Sequence, residues 1–233
     1  MKESKARDDA ALLKLLYLSS PARPTGAFAW SGGLSTFVDR NLANDGESLL
    51  RHLRDLTDLS LCLCDLPLLK RTFLCAAKKD LDGLFRWNSV SLAIRETGEF
   101  CLEEIEIGGA TVRLMEALGF ETGFSKGEDR PPLGRVAAEG LFASLLGLGE
   151  ESVASLLASS LWSRLENQVL VAAKCVPLGQ SEAQRVLLEL MGDVPGAVRR
   201  SMALEDSELG SSLPMLAIMS SAHEESPARM YRS

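Results

Sequence analysis

Aromatic residues are scarce in this chain, making up 6% of its 233 residues. Sandwiches and barrels draw on aromatic and β-branched side chains, so this thin supply argues against them. Histidine is scarcer still. Only His52 and His223 are present, too few for a His-rich metal site. The cysteines Cys62, Cys64, Cys75, Cys101 and Cys175 are odd in number and scattered through apolar segments. That pattern fits buried thiols in a reducing compartment better than a disulfide framework. Long apolar runs are missing as well. The longest uncharged stretch, residues 209–222, is short and rich in serine, whereas a bilayer span needs about 20 apolar residues. The first residues, Met-Lys-Glu-Ser-Lys-Ala-Arg-Asp-Asp, carry both signs of charge and no apolar core of a secretion signal follows them.

Nor is there an excess of positive charge. The formal net charge is −7, so the chain gains nothing from releasing counterions off a phosphate backbone, and nucleic acid is excluded as the expected partner. An anionic membrane surface is disfavoured for the same reason. A protein with a basic face suits it better. The expected location is the cytoplasm.

What the chain does have is aliphatic bulk. It is 46% hydrophobic, led by leucine and alanine, and a chain of this length hides roughly 70% of its unfolded surface. The expected fold is all-α, one compact bundle-like domain over residues 1–233. A short opening helix is predicted over 10–18, ended by Pro21, Pro24 and Gly26. Residues 28–42 read as resumed helix despite Gly32 and Gly33. From Ser48, the leucines at 49, 50, 53, 56 and 59 repeat at helical spacing, and Pro67 is expected to break or restart that helix. Residues 84–100 and 110–118 are predicted helical, while Ile105-Glu106-Ile107 alternates like a strand. The polar, Gly/Pro-rich stretch 121–132 is the predicted mobile loop. A long helix over 151–176 is followed by two shorter ones, 181–191 and 195–205, and by a last segment, 211–221, with Pro214 in its first turn.

Sorting the long helix at about 100° per residue puts Leu157, Leu161, Leu165, Val169, Ala172 and Val176 on one arc. Ser160, Ser163, Asn167 and Lys174 fall opposite. Gln168 lies at the edge and is expected to be a satisfied core amide, because an unpaired one costs about 1–3 kcal/mol.

Reaction chemistry is thin. Cys62 and Cys64 would point about 200° apart on a helix and cannot share a metal, and no second cysteine pair exists. There is no nucleophile elbow, phosphate-binding loop or dinucleotide fingerprint. The carboxylates Glu103, Glu104 and Glu106 read as a solvated face, and His52 as a surface residue. His223-Glu224 offers one imidazole and one carboxylate, a meagre metal constellation.

Two segments say more. Leu161-Trp162-Ser163-Arg164-Leu165-Glu166-Asn167-Gln168-Val169, followed by Ala172-Ala173-Lys174-Cys175-Val176-Pro177-Leu178-Gly179-Gln180, resembles the signature of the UreF family of urease accessory proteins. The ending is also similar to that family's: Ser211-Ser212-Leu213-Pro214-Met215-Leu216-Ala217-Ile218, then His223-Glu224 and Arg229-Met230-Tyr231-Arg232-Ser233. At the front, a loop carrying Gly26, Phe28, Trp30, Ser31 and Gly33 resembles the family's Pro-x-Gly-x-Phe-x-Tyr-Ser-x-Gly-Leu stretch, and Arg95-Glu96-Thr97 fits its Arg-Glu-Thr. Departures are Trp30 where tyrosine is usual, Ser35 where glutamate is usual, and Ser226-Pro227-Ala228 for a more typical Gln-Tyr-Ser.

The resemblance implies an all-α homodimer with no catalytic residues of its own. Such a protein bridges UreD (also called UreH) and the GTPase UreG during nickel delivery to the urease apoprotein, and it modulates the GTPase. Nickel and GTP are then handled by the partners, with no cofactor held stably here. On this reading Arg164, Asn167, Lys174 and Gln180 face UreG. His223, Glu224, Arg229, Met230, Tyr231, Arg232 and Ser233 face UreD, through a tail that sets apolar anchors between cations. Residues 1–9 and 224–233 are expected to be flexible when unbound. Arg95, Arg135 and Arg164 are the candidates for an arginine inserted beside a γ-phosphate. The competing readings are a helical interaction module of another pathway and a metal-dependent hydrolase using His223, Glu224 and a cysteine.

Overall fold

The computed structural model describes residues 2–123, 130–176, 178–210, 213–226 and 231–232, with side chains from Asp8 onward. Among the described residues there are ten α-helices and no strand, as the aliphatic composition predicts. They are α1 (Lys2–Ser19), α2 (Leu34–Asp39), α3 (Gly46–Leu56), α4 (Asp65–Ala77), α5 (Leu81–Ala93), α6 (Gly98–Ala117), α7 (Arg135–Leu145), α8 (Val153–Cys175), α9 (Gln180–Ala203) and α10 (Pro214–Glu224). No helix among the described residues is long and apolar enough to cross a membrane.

Helix α7 forms the centre, with every residue from Val136 to Ala143 buried. Its small side chains admit α4 closely. A Cβ at Gly140 would sit 2.6 Å from Thr72 Oγ1 and 2.8 Å from the Phe73 backbone nitrogen, so only glycine fits. On α8, Leu157, Leu161, Leu165, Val169 and Ala172 are all buried in the core, the arc given by their spacing. Three helix starts carry side-chain caps: Asp45 accepts from Ser48 N, Asp80 from Gly83 N and Thr97 from Phe100 N.

Several boundaries differ from expectation. Helix does not run through 28–42, because Gly32 and Gly33 take φ of 60° and 84° and turn the chain before α2 begins. The strand-like 105–107 lies inside α6, where Glu104, Ile107, Gly108, Thr111 and Met115 are buried at helical spacing. The helix expected over 84–100 is divided between α5 and α6. The two short helices expected over 181–205 are one helix, α9, that continues through Pro195. An interior proline costs about 3 kcal/mol. Leu187, Leu190, Val194, Ala197 and Val198 are buried on both sides of it, which outweighs that cost. Pro67 restarts rather than breaks a helix: it is the third residue of α4, where its missing N–H would have no intrahelical partner. Residues 121–123 and 130–132 are not helical; the rest of the predicted loop, 124–129, lies outside the described residues. His52 is not on the surface. It is 7% exposed and packs with its ring centroid 4.2 Å from that of Phe37, and burial lowers its pKa to about 4.

Candidate functional site

Asp65 is the first residue of α4 and only 2% exposed. Three guanidinium groups converge on its carboxylate. Arg164 Nη1 from α8 lies 2.8 Å from Oδ1, Arg95 Nη2 from the end of α5 lies 2.9 Å away, and Arg135 Nη2 from the start of α7 lies 3.6 Å away. Two neighbouring carboxylates on α6 balance the charge. Glu104, 1% exposed, meets Arg95 at 3.3 Å and Arg135 at 3.5 Å, and accepts the Val136 backbone N–H at 2.9 Å. Glu103 pairs with Arg135 at 3.3 Å. The solvated face expected for Glu103 and Glu104 is therefore a buried one. Its signal was in the sequence: Glu104 falls on the helical stripe of Ile107, Gly108, Thr111 and Met115.

The electrostatics follow from this packing. Burial alone would raise the Asp65 carboxyl, but Arg164, Arg95 and Arg135 outweigh it and hold the group well below the usual carboxylate range. Burial would likewise lower Arg95 and Arg164, yet the facing carboxylates, Asp65 foremost, raise both. Glu103 moves up, chiefly through burial. Cys64 beside the cluster is pushed up to about 12, by burial and then by Asp65, so its thiol stays protonated. Cys62 and Cys64 are the buried thiols the sequence suggests, while Cys75, Cys101 and Cys175 are half-buried.

The cluster walls a cavity of about 100 Å³, closed on other sides by Gly32, Phe100, Asn167, Gln168 and Leu216. Segments far apart in sequence meet around it. Gln168 donates from Nε2 to the Ser31 carbonyl at 2.9 Å, the core amide expected of it. Asn167 Nδ2 reaches the Trp30 carbonyl at 3.4 Å and that of Ala27 at 3.5 Å. The front loop thus rests on α8, with Trp30 2% exposed and Ser31 fully buried. Phe28 is half-buried, and Gly26 and Gly33 adopt positive φ. Ser160 is also buried, and Ser163 donates to the Ser19 carbonyl at 3.1 Å. The polar side of α8 is therefore largely covered by α1 and the front loop. Lys174 and Gln180 are exposed.

The C-terminal residues tie in from the other side. His223 is 3% exposed, and its Nδ1 lies 2.9 Å from Glu99 Oε1. Glu224 accepts the Glu99 backbone N–H at 3.3 Å, and Thr97 and Ser220 share a hydroxyl hydrogen bond of 2.8 Å. His223 and Glu224 therefore fasten α10 to the start of α6 and do not project as a pair toward a ligand. Part of the tail expected to be free is seated. Tyr231 is 7% exposed. Arg232 donates its backbone N–H to the Ala29 carbonyl at 3.0 Å, stacks 4.7 Å from the Trp30 ring centroid and pairs with Glu106 at 2.8 Å. Cation–π attraction and an ion pair together hold it. Arg229, Met230 and Ser233 lie outside the described residues. At the other end, α1 begins at Lys2, within the stretch expected to be flexible.

None of the three arginines considered for insertion beside a phosphate stands free. The side chains of Arg95, Arg135 and Arg164 are 13%, 20% and 13% exposed and paired to carboxylates.

Comparison with known proteins bears on all these segments together. The sequence profile of the UreF family matches residues 43–191. Urease accessory protein UreF of Chromohalobacter salexigens is 38% identical over 97% of this chain and 96% of its own. The protein of the same name from Pseudoalteromonas translucida is 37% identical over 97% and 95%, and that of Pseudomonas putida 36% identical over 97% and 99%.

Proposed function

This chain belongs to the UreF family of urease accessory proteins, and from that premise we propose that it is a non-catalytic scaffold joining UreD (UreH) to the GTPase UreG. The family carries an accessory role in urease maturation. The finer reading is that a homodimer of this protein holds UreD and UreG together while nickel is inserted into the urease apoprotein, and tunes when the GTPase acts. Nickel is cargo here and GTP is the partner's substrate; both are handled by the partners.

One observation carries this reading. Four segments that resemble the family's motifs meet around one cavity, through Gly32, Arg95, Arg164 and Leu216, and the charged groups there and at the start of α6 are turned toward each other. Arg164, Arg95, Arg135, Asp65, Glu104, Glu99 and His223 are all engaged within the chain. Groups so engaged hold surfaces in place. Contact with partners then falls to what these segments leave outside. On one side these are Lys174 and Gln180. On the other is the outer face of α10, with Met215 and Ile218 exposed by 45% and 56%; the tail that the family resemblance assigns to UreD has Tyr231 and Arg232 seated on this chain, so UreD must share or release them. In this scheme Arg164 and Asn167 act from behind the UreG-facing surface, and His223 and Glu224 set the angle of α10 for UreD.

Paired capture assays test the scheme. Lys174→Glu is expected to weaken capture of UreG and leave UreD binding intact, because a rim cation governs encounter and register. Deleting residues 229–233 is expected to do the reverse. Wild-type yields of both partners with both variants would end this assignment of surfaces.

A further inference from the structure

A second cavity, of about 60 Å³, lies under the front loop and is walled off from the first by Arg135, Arg164 and Asn167. Arg23 lines it from the segment between α1 and the front loop, and Glu139 lines it from α7. Glu139 is 9% exposed. Loss of hydration lowers the pKa of Arg23, with Glu139 the leading influence in the other direction. The two groups are close enough to feel each other but do not touch. Among the described residues neither makes an ion pair or a side-chain hydrogen bond, and Arg23 Nε is buried without a partner. Asn167 Oδ1, on the same wall, is an acceptor without a partner among the described residues.

Arg23 is half-buried with its Nε shut off from solvent, and Glu139 lines the same cavity without pairing with it, so Arg23 bears a desolvation cost that Glu139 does not fully offset. A bound group satisfying both would remove it. An anion alone would meet Arg23 and be repelled by Glu139; a cation alone would have the opposite fault. The complement is a molecule with an anionic end and a cationic end. A cavity needs about 10–15 Å³ to admit one water, so this one has room for a small molecule of a few heavy atoms and not for a larger one. The planar fork of a guanidinium matches a carboxylate in particular.

We infer that this cavity is a binding site for a small zwitterionic amino acid of glycine's size, with its carboxylate on Arg23 and its ammonium on Glu139. Bound there, the ligand ties the approach to the front loop to the central helix α7, next to the wall formed by Arg164 and Asn167. The inference does not rest on the scaffold reading above.

Titrating the full chain with glycine, followed by calorimetry or by carbon-13 glycine NMR, tests it. Saturable one-to-one binding is expected. Acetate and methylammonium, each supplying half of the ligand, are expected to bind at least about tenfold more weakly, since a charge-assisted hydrogen bond is worth roughly 1.5–3 kcal/mol. Arg23→Gln and Glu139→Gln should each lose a similar factor. The comparison of glycine with acetate and methylammonium needs only the wild-type chain, so it stands even if a variant misfolds. No saturable glycine binding, acetate binding as tightly as glycine, or a high-resolution structure grown with glycine in which only water bridges Arg23 and Glu139 would each overturn the inference.

Discussion

Replacing Asp65 with asparagine keeps the shape of the side chain and removes one charge from the middle of the cluster. In the native chain, three arginines face Asp65, Glu103 and Glu104, and the formal charges cancel. In Asp65→Asn the three guanidinium groups keep two carboxylates, and Arg164, whose closest carboxylate contact is Asp65 at 2.8 Å, is left without it. Removing one partner of a buried ion pair costs about 3–5 kcal/mol, because the remaining charge stays desolvated. For a domain of this size that corresponds to a fall in melting temperature of about 6–20 °C, out of a total stability of about 5–15 kcal/mol. Urea denaturation followed by circular dichroism measures the cost directly, with calorimetry as a check. Removing the stranded charge in Asp65→Asn/Arg164→Met should recover about 1–3 kcal/mol relative to the single variant, the coupling expected of groups in contact. A cost below about 0.5 kcal/mol for Asp65→Asn is what a solvated surface position gives, and it would refute the buried-cluster argument.

Three further outcomes follow from the same physics. His52 has a folded-state pKa of about 4 against an ordinary value of 6.5, so between those values the unfolded chain binds a proton that the folded chain does not. Stability should therefore fall as pH drops through about 6.5 and go on falling to about 4, by about 3 kcal/mol, and His52→Leu should flatten that part of the profile. Asp65 adds a separate loss further into acid. Its pKa is held below the unfolded value, so its contribution is fully present above the ordinary carboxylate range, begins to fall within that range and goes on falling below it; the acid limb of Asp65→Asn should be shallower by this amount. Gly108→Ala should cost more than about 2 kcal/mol in the same denaturation assay, because the new Cβ would sit 2.0 Å from the Leu133 carbonyl oxygen and 2.5 Å from the Gly134 carbonyl carbon, both backbone atoms that cannot turn aside.

The helical architecture was legible because apolar spacing reports local geometry: α8 follows it closely, and α3 follows it from Leu49 to Leu56, while Leu59 falls beyond the end of α3 and is exposed. Where the reading missed, tertiary contacts outweighed local signals. Pro195 reads as a stop, yet α9 passes through it because leucines, valines and an alanine on both sides pack into the core. Gly32 and Gly33 read as tolerable within a helix, but the left-handed turn they make is what folds the front loop back onto Asn167 and Gln168. The charge cluster was harder to see. Asp65 and Arg164 are 99 residues apart in the chain, and no local pattern announces a pair at that separation. Glu104 could have been found from its place on the buried stripe of α6. His52 sits at the same spacing as Leu49, Leu53 and Leu56, so its burial was also readable. The motif marks Arg164 as important but says nothing of which way its side chain faces, so the surface role it suggests differs from the buried pairing with Asp65. Nothing in sequence spacing suggested that Arg232 would stack on Trp30, because that contact joins the two ends of the chain.

The central claim is that this protein works by presenting shaped surfaces to other proteins, and co-expression with UreD and UreG followed by size-exclusion chromatography with light scattering tests it most directly. The account predicts a single species containing all three chains, with UreD lost when residues 229–233 are removed and UreG lost in Lys174→Glu. If the chain elutes by itself while its fold is intact, the account is contradicted.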